Sequence, residues 1–382
     1  MTNEEWTHLL LEHRTAVSDT VTFTHSEAPN SCFDPDRGMF YTVYCASRRN
    51  YGEAHDIIAL CITPVCQPHK AVTKIIAERG VPPIGDTGRQ MLINPTCYYY
   101  NTNEVLCHAG THFGQSADIM RGFVRITFSI LGDASYYTDY DIVNGVFSEI
   151  KPLRIMFHGE PVHFTGDVFR TYLEEQNFHD FNAEEHDENL ILSDKFRLQP
   201  DGYRYALATA AWAWPAVVRV KDGSDVLEFV GAIPQAAQYE AQSAVVNGVM
   251  YAILRGAKTD DFFLSEDMGR TWQPVGRIDF NTTRPQLCPY KDKLLIAVSK
   301  KNVLPNRVRD GRNNILLLCG EGKDLSKYRR IFQVTDPLGI VYYDLQNYKD
   351  NLFLFWSSAA LYVDRNPQAK DLLWYARLGE ID

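Results

Sequence analysis

The chain has 382 residues, 45% of them hydrophobic and 23% charged, with 24 Gly and 18 Pro. That composition excludes disorder and fibrous repeats, and a core of this size can be buried without covalent staples. Lys plus Arg total 38 against 48 acids, a formal charge of −10, so neither a nucleic acid nor a membrane is an expected partner. A local cluster of arginines receiving an anionic small molecule is still compatible with that balance.

The opening segment, MTNEEWTHLLLEHR, is acidic and amphipathic, with the apolar period of one short helix. It has no basic region followed by an apolar one, and no stretch approaches ~18 uninterrupted apolar residues. None of the eight cysteines falls in a C-x-x-C pair, which excludes zinc-ribbon and thioredoxin readings. Most lie in apolar runs, where a thiol is a small buried hydrophobe. The expected setting is therefore soluble, reducing and cytoplasmic, with no cofactor.

Beyond residue 15 a different unit recurs: a short apolar run, a turn with Gly, Asn or Asp, and a second apolar run. CFDPDRGMFYTVYCAS, CYYYNTNEVLCHAG, RLQPDGYRYALATA, AVVNGVMYAILRG, LCPYKDKLLIAVS and LQNYKDNLFLFWSS all have this form, with turns near residues 37, 102, 201, 247, 292 and 350. Each reads as two strands joined by a tight hairpin. The last four turns are about 45 to 60 residues apart, the length of a four-stranded blade. The prediction is an all-β, six-bladed β-propeller of four-stranded antiparallel blades, one domain over 1–382, with the first and last strands closing one blade. The wide gap between 102 and 201 leaves room for an acidic insertion around 170–195, TYLEEQNFHDFNAEEHDENL, or for a seventh blade.

Ser265, Asp267, Gly269, Thr271 and Trp272 spell S-x-D-x-G-x-T-W. This resembles the Asp-box of sialidase-like propellers, a structural turn between the third and fourth strands of a blade. The resemblance extends across most of the chain. His25 to Leu60 is similar to an opening blade, with Gly52, Glu53 and Asp56 in its Gly-Glu-x-x-Asp stretch, and Asn94-Pro95 is similar to the second. YEAQSAVVNGVMYAILRG places Glu240 at the start of one strand and Arg255 at the end of the next, as in sialidases. NTTRPQL and NRVRDGRNNILLL sit where a further blade and its arginine would fall, and GIVYYDLQNYKDNLFLFW resembles the last blade. One departure is plain: the early Arg-Ile-Pro of sialidases is missing, and His25 is the conspicuous polar residue there.

The resemblance implies a sialidase-like exo-glycoside hydrolase acting on an acidic oligosaccharide. Its site would use a tyrosine nucleophile, Tyr342 or Tyr343, activated by Glu240, with Arg255, Arg284 and Arg312 receiving the substrate carboxylate. A second reading is a lyase cleaving next to a uronic acid. His25, His108 or His112 and Tyr239 would move the protons there, and Arg255 would neutralise the carboxylate. The third is a catalytically inert carbohydrate-binding propeller. Glu53, His55 and Asp56 lack a fourth ligand and read as a solvated turn, so no metal is expected. Trp212 and Trp214 read as core residues. The sequence contains no phosphate loop, nucleophile elbow or H-E-x-x-H.

Overall fold

The structure is a computed structural model that describes residues 1–48, 57–78, 115–120, 122–130, 134–178, 190–192, 194–210, 214–237, 240–256, 259–278, 284–299, 314–358 and 370–381. It begins with helix α1 (Asn3–His13) and the short strand β1 (Thr15–Ala16). A sheet of β2 (His25–Asp34), β3 (Met39–Ser47), β4 (Ile57–Pro64) and β5 (Val72–Glu78) follows, paired in chain order. The next sheet contains β6 (Gln115–Met120), β7 (Phe123–Ile130), β8 (Ala134–Asp141), β9 (Val146–Phe147) and β10 (Lys151–Pro152). The third is built of β11 (Arg154–Phe157), β12 (Glu160–His163), β13 (Leu190–Ile191), β14 (Arg197–Leu198), β15 (Tyr203–Ala210), β16 (Ala216–Lys221) and β17 (Val226–Ala232). Helix α2 (Gly166–Glu175) lies between β12 and β13.

Three four-stranded sheets complete the described chain. They are β18 (Ala241–Val246) to β21 (Gln273–Ile278) through β19 (Val249–Arg255) and β20 (Asp260–Ser265); β22 (Gln286–Tyr290), β23 (Lys293–Val298), β24 (Asn314–Gly320) and β25 (Arg329–Thr335); and β26 (Tyr343–Tyr348), β27 (Asn351–Ser357) and β28 (Leu373–Gly379), with β1 as fourth strand. The fold is that of a six-bladed β-propeller. The last sheet is closed by the beginning of the chain, through Thr15 opposite Tyr375 and Ala16 opposite Trp374. Two sheets depart from the expected four strands. One has five, and the other has seven because the β11–β12 hairpin joins it, β11 running parallel to β17, and because both β13 and β14 pair with β15.

By compactness the chain divides into two units, one of residues 1–75, 244–264 and 274–382, the other of residues 76–243 and 265–273. In the first, strands are buried on both faces, which their sequences foretell. Along NLFLFWS of β27, Leu352, Leu354 and Trp356 join one apolar cluster, while Phe353 and Phe355 join another. Strand β23 does the same, with Leu295 and Ala297 on one side and Leu294, Ile296 and Val298 on the other. A period of two with both faces apolar means a strand sandwiched between neighbouring sheets. The second unit has its own core, where Phe164, Phe169 and Leu173 of the α2 segment pack with Ala206 and Ala208 of β15, Val218 of β16 and Leu227 of β17. Trp214 packs there against Phe178, at 4.9 Å between ring centroids.

The turns follow their residues. Asn247 and Gly248 both take positive φ, 52° and 77°, as the two-residue turn between β18 and β19 demands. In S-x-D-x-G-x-T-W, Asp267 Oδ1 accepts from the Arg270 and Thr271 amides at 3.1 and 2.9 Å, and Oδ2 from the Thr271 hydroxyl at 2.7 Å. Gly269, at φ 94°, presents its amide to Ser265 Oγ at 2.7 Å. These bonds hold the Asp267 carboxyl down to about 2, overcoming the opposing effect of burial. The hairpin expected near residue 102 lies outside the described residues, as do residues 179–189 of the acidic insertion.

Candidate functional site

Strand β2 starts with His25 and Glu27 on one face, opposite Ser47 and Cys45 of β3. The ladder then shifts register between Glu27 and Asn30, and Ala28 takes φ 55°, a left-handed conformation that a β-carbon disfavours. Such bulges re-aim the chain, and here two neighbouring segments meet the result. Ala28 packs against Val341 and Tyr342, immediately before β26. The Ser31 amide donates to Asp344 Oδ2 at 2.7 Å, while Gln346 Nε2 donates to the same oxygen and to the Ser31 carbonyl at 2.8 and 2.9 Å. Arg284 Nη1 reaches the Pro29 carbonyl at 3.5 Å.

At the head of β2 a charged triad is buried. His25 Nδ1 lies 3.0 Å from Asp371 Oδ2, and Nε2 lies 2.9 Å from Glu27 Oε2. Burial opposes charge on the ring, but hydrogen bonds and attraction from Asp371 and Glu27 outweigh it and raise its pKa to about 10. His25 is therefore an imidazolium at neutral pH, donating from both nitrogens. His25, expected to exchange a proton with substrate, thus has both ring nitrogens beside buried carboxylates. Glu27 was within reach of sequence reasoning, since it stands two residues after His25 on the same face of a strand. Asp371 was not, lying 346 residues away.

Of the other expected residues, Arg255 at the end of β19 and Arg284 just before β22 are both buried cations in this unit. Glu240, directly before β18, is also buried, and belongs to the other unit. Tyr343, expected as the nucleophile, is instead a packing residue. It is fully enclosed in an apolar cluster, and its hydroxyl donates to the Ala297 carbonyl at 3.1 Å. Its neighbour Tyr342 lies outside that cluster, against Ala28. Tyr239, His108, His112 and Arg312 lie outside the described residues, as do Glu53, His55, Asp56 and Trp212. Among the described residues no group of three His, Cys, Asp or Glu is placed to hold a metal ion.

Two residues after Arg284, Gln286 has a buried amide of which neither atom finds a hydrogen-bond partner among the described residues, and elsewhere in this unit the same holds for the buried Ser26 hydroxyl. Buried groups of this kind cost about 1–3 kcal/mol each unless water or a ligand meets them, so they mark a place built for polar contacts.

The same fold occurs in solved sialidases. Trypanosoma rangeli sialidase in complex with sialic acid aligns with 96% of this chain and 57% of its own, at 12% identity and a TM-score of 0.57. The NanB sialidase of Streptococcus pneumoniae aligns with 96% of this chain and 70% of its own, at 13% identity and a TM-score of 0.57. A Hadza microbial sialidase gives 96% and 68%, at 12% identity and a TM-score of 0.55. The chain thus has the sialidase-like β-propeller fold, and it spans only 54 to 57% of the length of the trypanosomal sialidases. No family model matches the sequence, and no curated protein matches it.

Proposed function

We propose that the protein is a sialidase-like exo-glycoside hydrolase that removes a terminal acidic sugar from an oligosaccharide. The observation that carries this reading is the pair of buried guanidinium groups, Arg255 and Arg284, contributed by two sheets of one compact unit in a sialidase-like fold. A buried arginine suits a carboxylate, which it binds through two parallel N–H bonds. Tyr342 is the proposed nucleophile, since Tyr343 is committed to packing. Arg312, His108, His112 and Tyr239 stand as further candidate contacts. The occupied nitrogens of His25 weigh against elimination by this histidine.

The test is incubation with a panel of acidic oligosaccharides, with products read by mass and ultraviolet absorbance. A gain of one water is expected; an unsaturated uronate would replace hydrolysis by elimination, and binding without turnover would make the propeller an inert carbohydrate-binding module. On the active substrate, Arg255→Ala is expected to lower kcat/KM by about 10²-fold or more, with poor rescue by Arg255→Lys.

A further inference from the structure

One end of the second unit exposes apolar side chains that its core does not use: Val143 is 75% exposed, Val146 57% and Leu198 50%. The strand registers place all three around one hollow. Between β7 and the β15–β17 strands lies a small, partly open hollow whose lining includes Leu153, Phe196, Val220, Leu227, Arg125 and Arg204. Arg125 pairs across β7 and β8 with Asp139, one step before Asp141 on the same face, and Asp141 ends β8 and pairs with Val146 of β9. Val143 stands in the turn between them. Leu198 of β14 is directly opposite Arg204.

The two guanidinium groups are compensated where they stand. Arg125 binds both oxygens of Asp139 at 2.8 Å and donates to the Ser224 carbonyl, while Arg204 Nε donates to Asp222 Oδ1 at 3.0 Å. The hollow therefore offers a partner mainly apolar surface. The turn beside it is held in one shape. Asp141 Oδ1 accepts from the Val143 and Asn144 amides at 2.8 and 2.9 Å, and Oδ2 from the Asn144 side-chain amide at 2.6 Å. The Gly145 amide donates to the Asp141 carbonyl at 2.9 Å, and the Ile142 amide to the Gly122 carbonyl at 3.3 Å. Exposed apolar residues scattered singly carry no message, but a rigid apolar knob next to an apolar hollow loses little entropy on docking.

We propose that this end of the protein is a two-fold contact between copies of the chain, the 142–146 turn of each copy seating in the hollow of the other. A two-fold contact uses the same patch twice, so knob and hollow must share one surface, as they do here. A lipid surface would call for flanking lysines and arginines that are not already paired, and this knob is closed by Asp141 on a chain of formal charge −10. The patch is small and the copies repel one another, so the contact is weak and is strengthened by salt, which screens the repulsion.

Sedimentation equilibrium of the full chain, under reducing conditions and across the micromolar range, tests this. A monomer–dimer equilibrium is expected, with the dimer fraction rising with salt. Val143→Glu and Leu198→Glu should each weaken dimerisation by about tenfold or more, with Tm unchanged because both side chains are exposed. If Val143→Glu does not fold, Val143→Asn serves, with a smaller loss in the same direction. A wild-type chain that stays monomeric would overturn the proposal, as would a dimer that neither variant weakens or one that dissociates as salt is raised. Monomers that bind neutral phosphatidylcholine vesicles through Val143 would also overturn it and make the knob a lipid contact.

Discussion

Replacing Asp267 by alanine removes the acceptor for two backbone amides and one hydroxyl in the turn between β20 and β21. The expected cost is about 1–3 kcal/mol in urea unfolding, with kcat/KM unchanged for a substrate that the wild type cleaves. Wild-type stability together with lost turnover would transfer Asp267 from the scaffold to the chemistry. His25 makes a different prediction, because its pKa is raised on folding from 6.5 to about 10. The folded state holds its proton more tightly than the unfolded chain, so this stabilisation is complete below about pH 6.5 and is lost as pH rises through 10. Thermal stability should therefore fall between these limits in the wild type, by an amount on the order of a few kcal/mol. A His25→Gln variant should be less stable throughout and should lack that slope; an identical slope in both would place the titration elsewhere.

Helix α1 illustrates how an element foreseen by its period acquires a role from its partners. The Thr2 hydroxyl caps it by accepting from the Glu5 amide, and the Glu5 carboxylate accepts from the Thr2 amide at 2.7 Å, a capping box legible as T-x-x-E. Its buried face, Trp6 and Leu10, enters the cluster shared by β22–β25 and β26–β28, with Trp6 4.8 Å from Phe332 between ring centroids. Asn3 and Thr7 accept from the Gln333 and Thr335 amides, so the helix covers the edge of β25 and leaves less of it open to pairing. Just beyond it Arg14 binds Asp336 at 2.7 Å and lies over Trp374. Trp6→Ala should lower unfolding free energy by about 3 kcal/mol, with an unchanged denaturant slope if cooperativity is kept. No loss would mean that the helix is not docked in solution. The hairpins were equally legible, because Asn-Gly and Gly turns between apolar runs declare themselves locally. The β11–β12 hairpin was not: its four-residue strands are too short for a period, and β11 acquires a sheet only by lying parallel to β17.

For the whole molecule, a formal charge of −10 means that the proposed binding of an acidic sugar would have to be a local matter, dependent on buried guanidinium groups against an unfavourable surrounding field. By itself the sequence determined the all-β class, the repeat length and the Asp267 turn. All of these follow from interactions within a few residues or from a strict period of two. Tertiary structure alone decided the rest. Tyr342 and Tyr343 are adjacent and chemically identical, yet Tyr343 opens β26 inside the large apolar cluster, whereas Tyr342, just before the strand, packs beside Ala28. His25 could be read as a free base until Asp371, distant in sequence, took its second nitrogen. The charge and protonation of a buried group depend on what the fold brings within about 3 Å of it, and no local pattern encodes that.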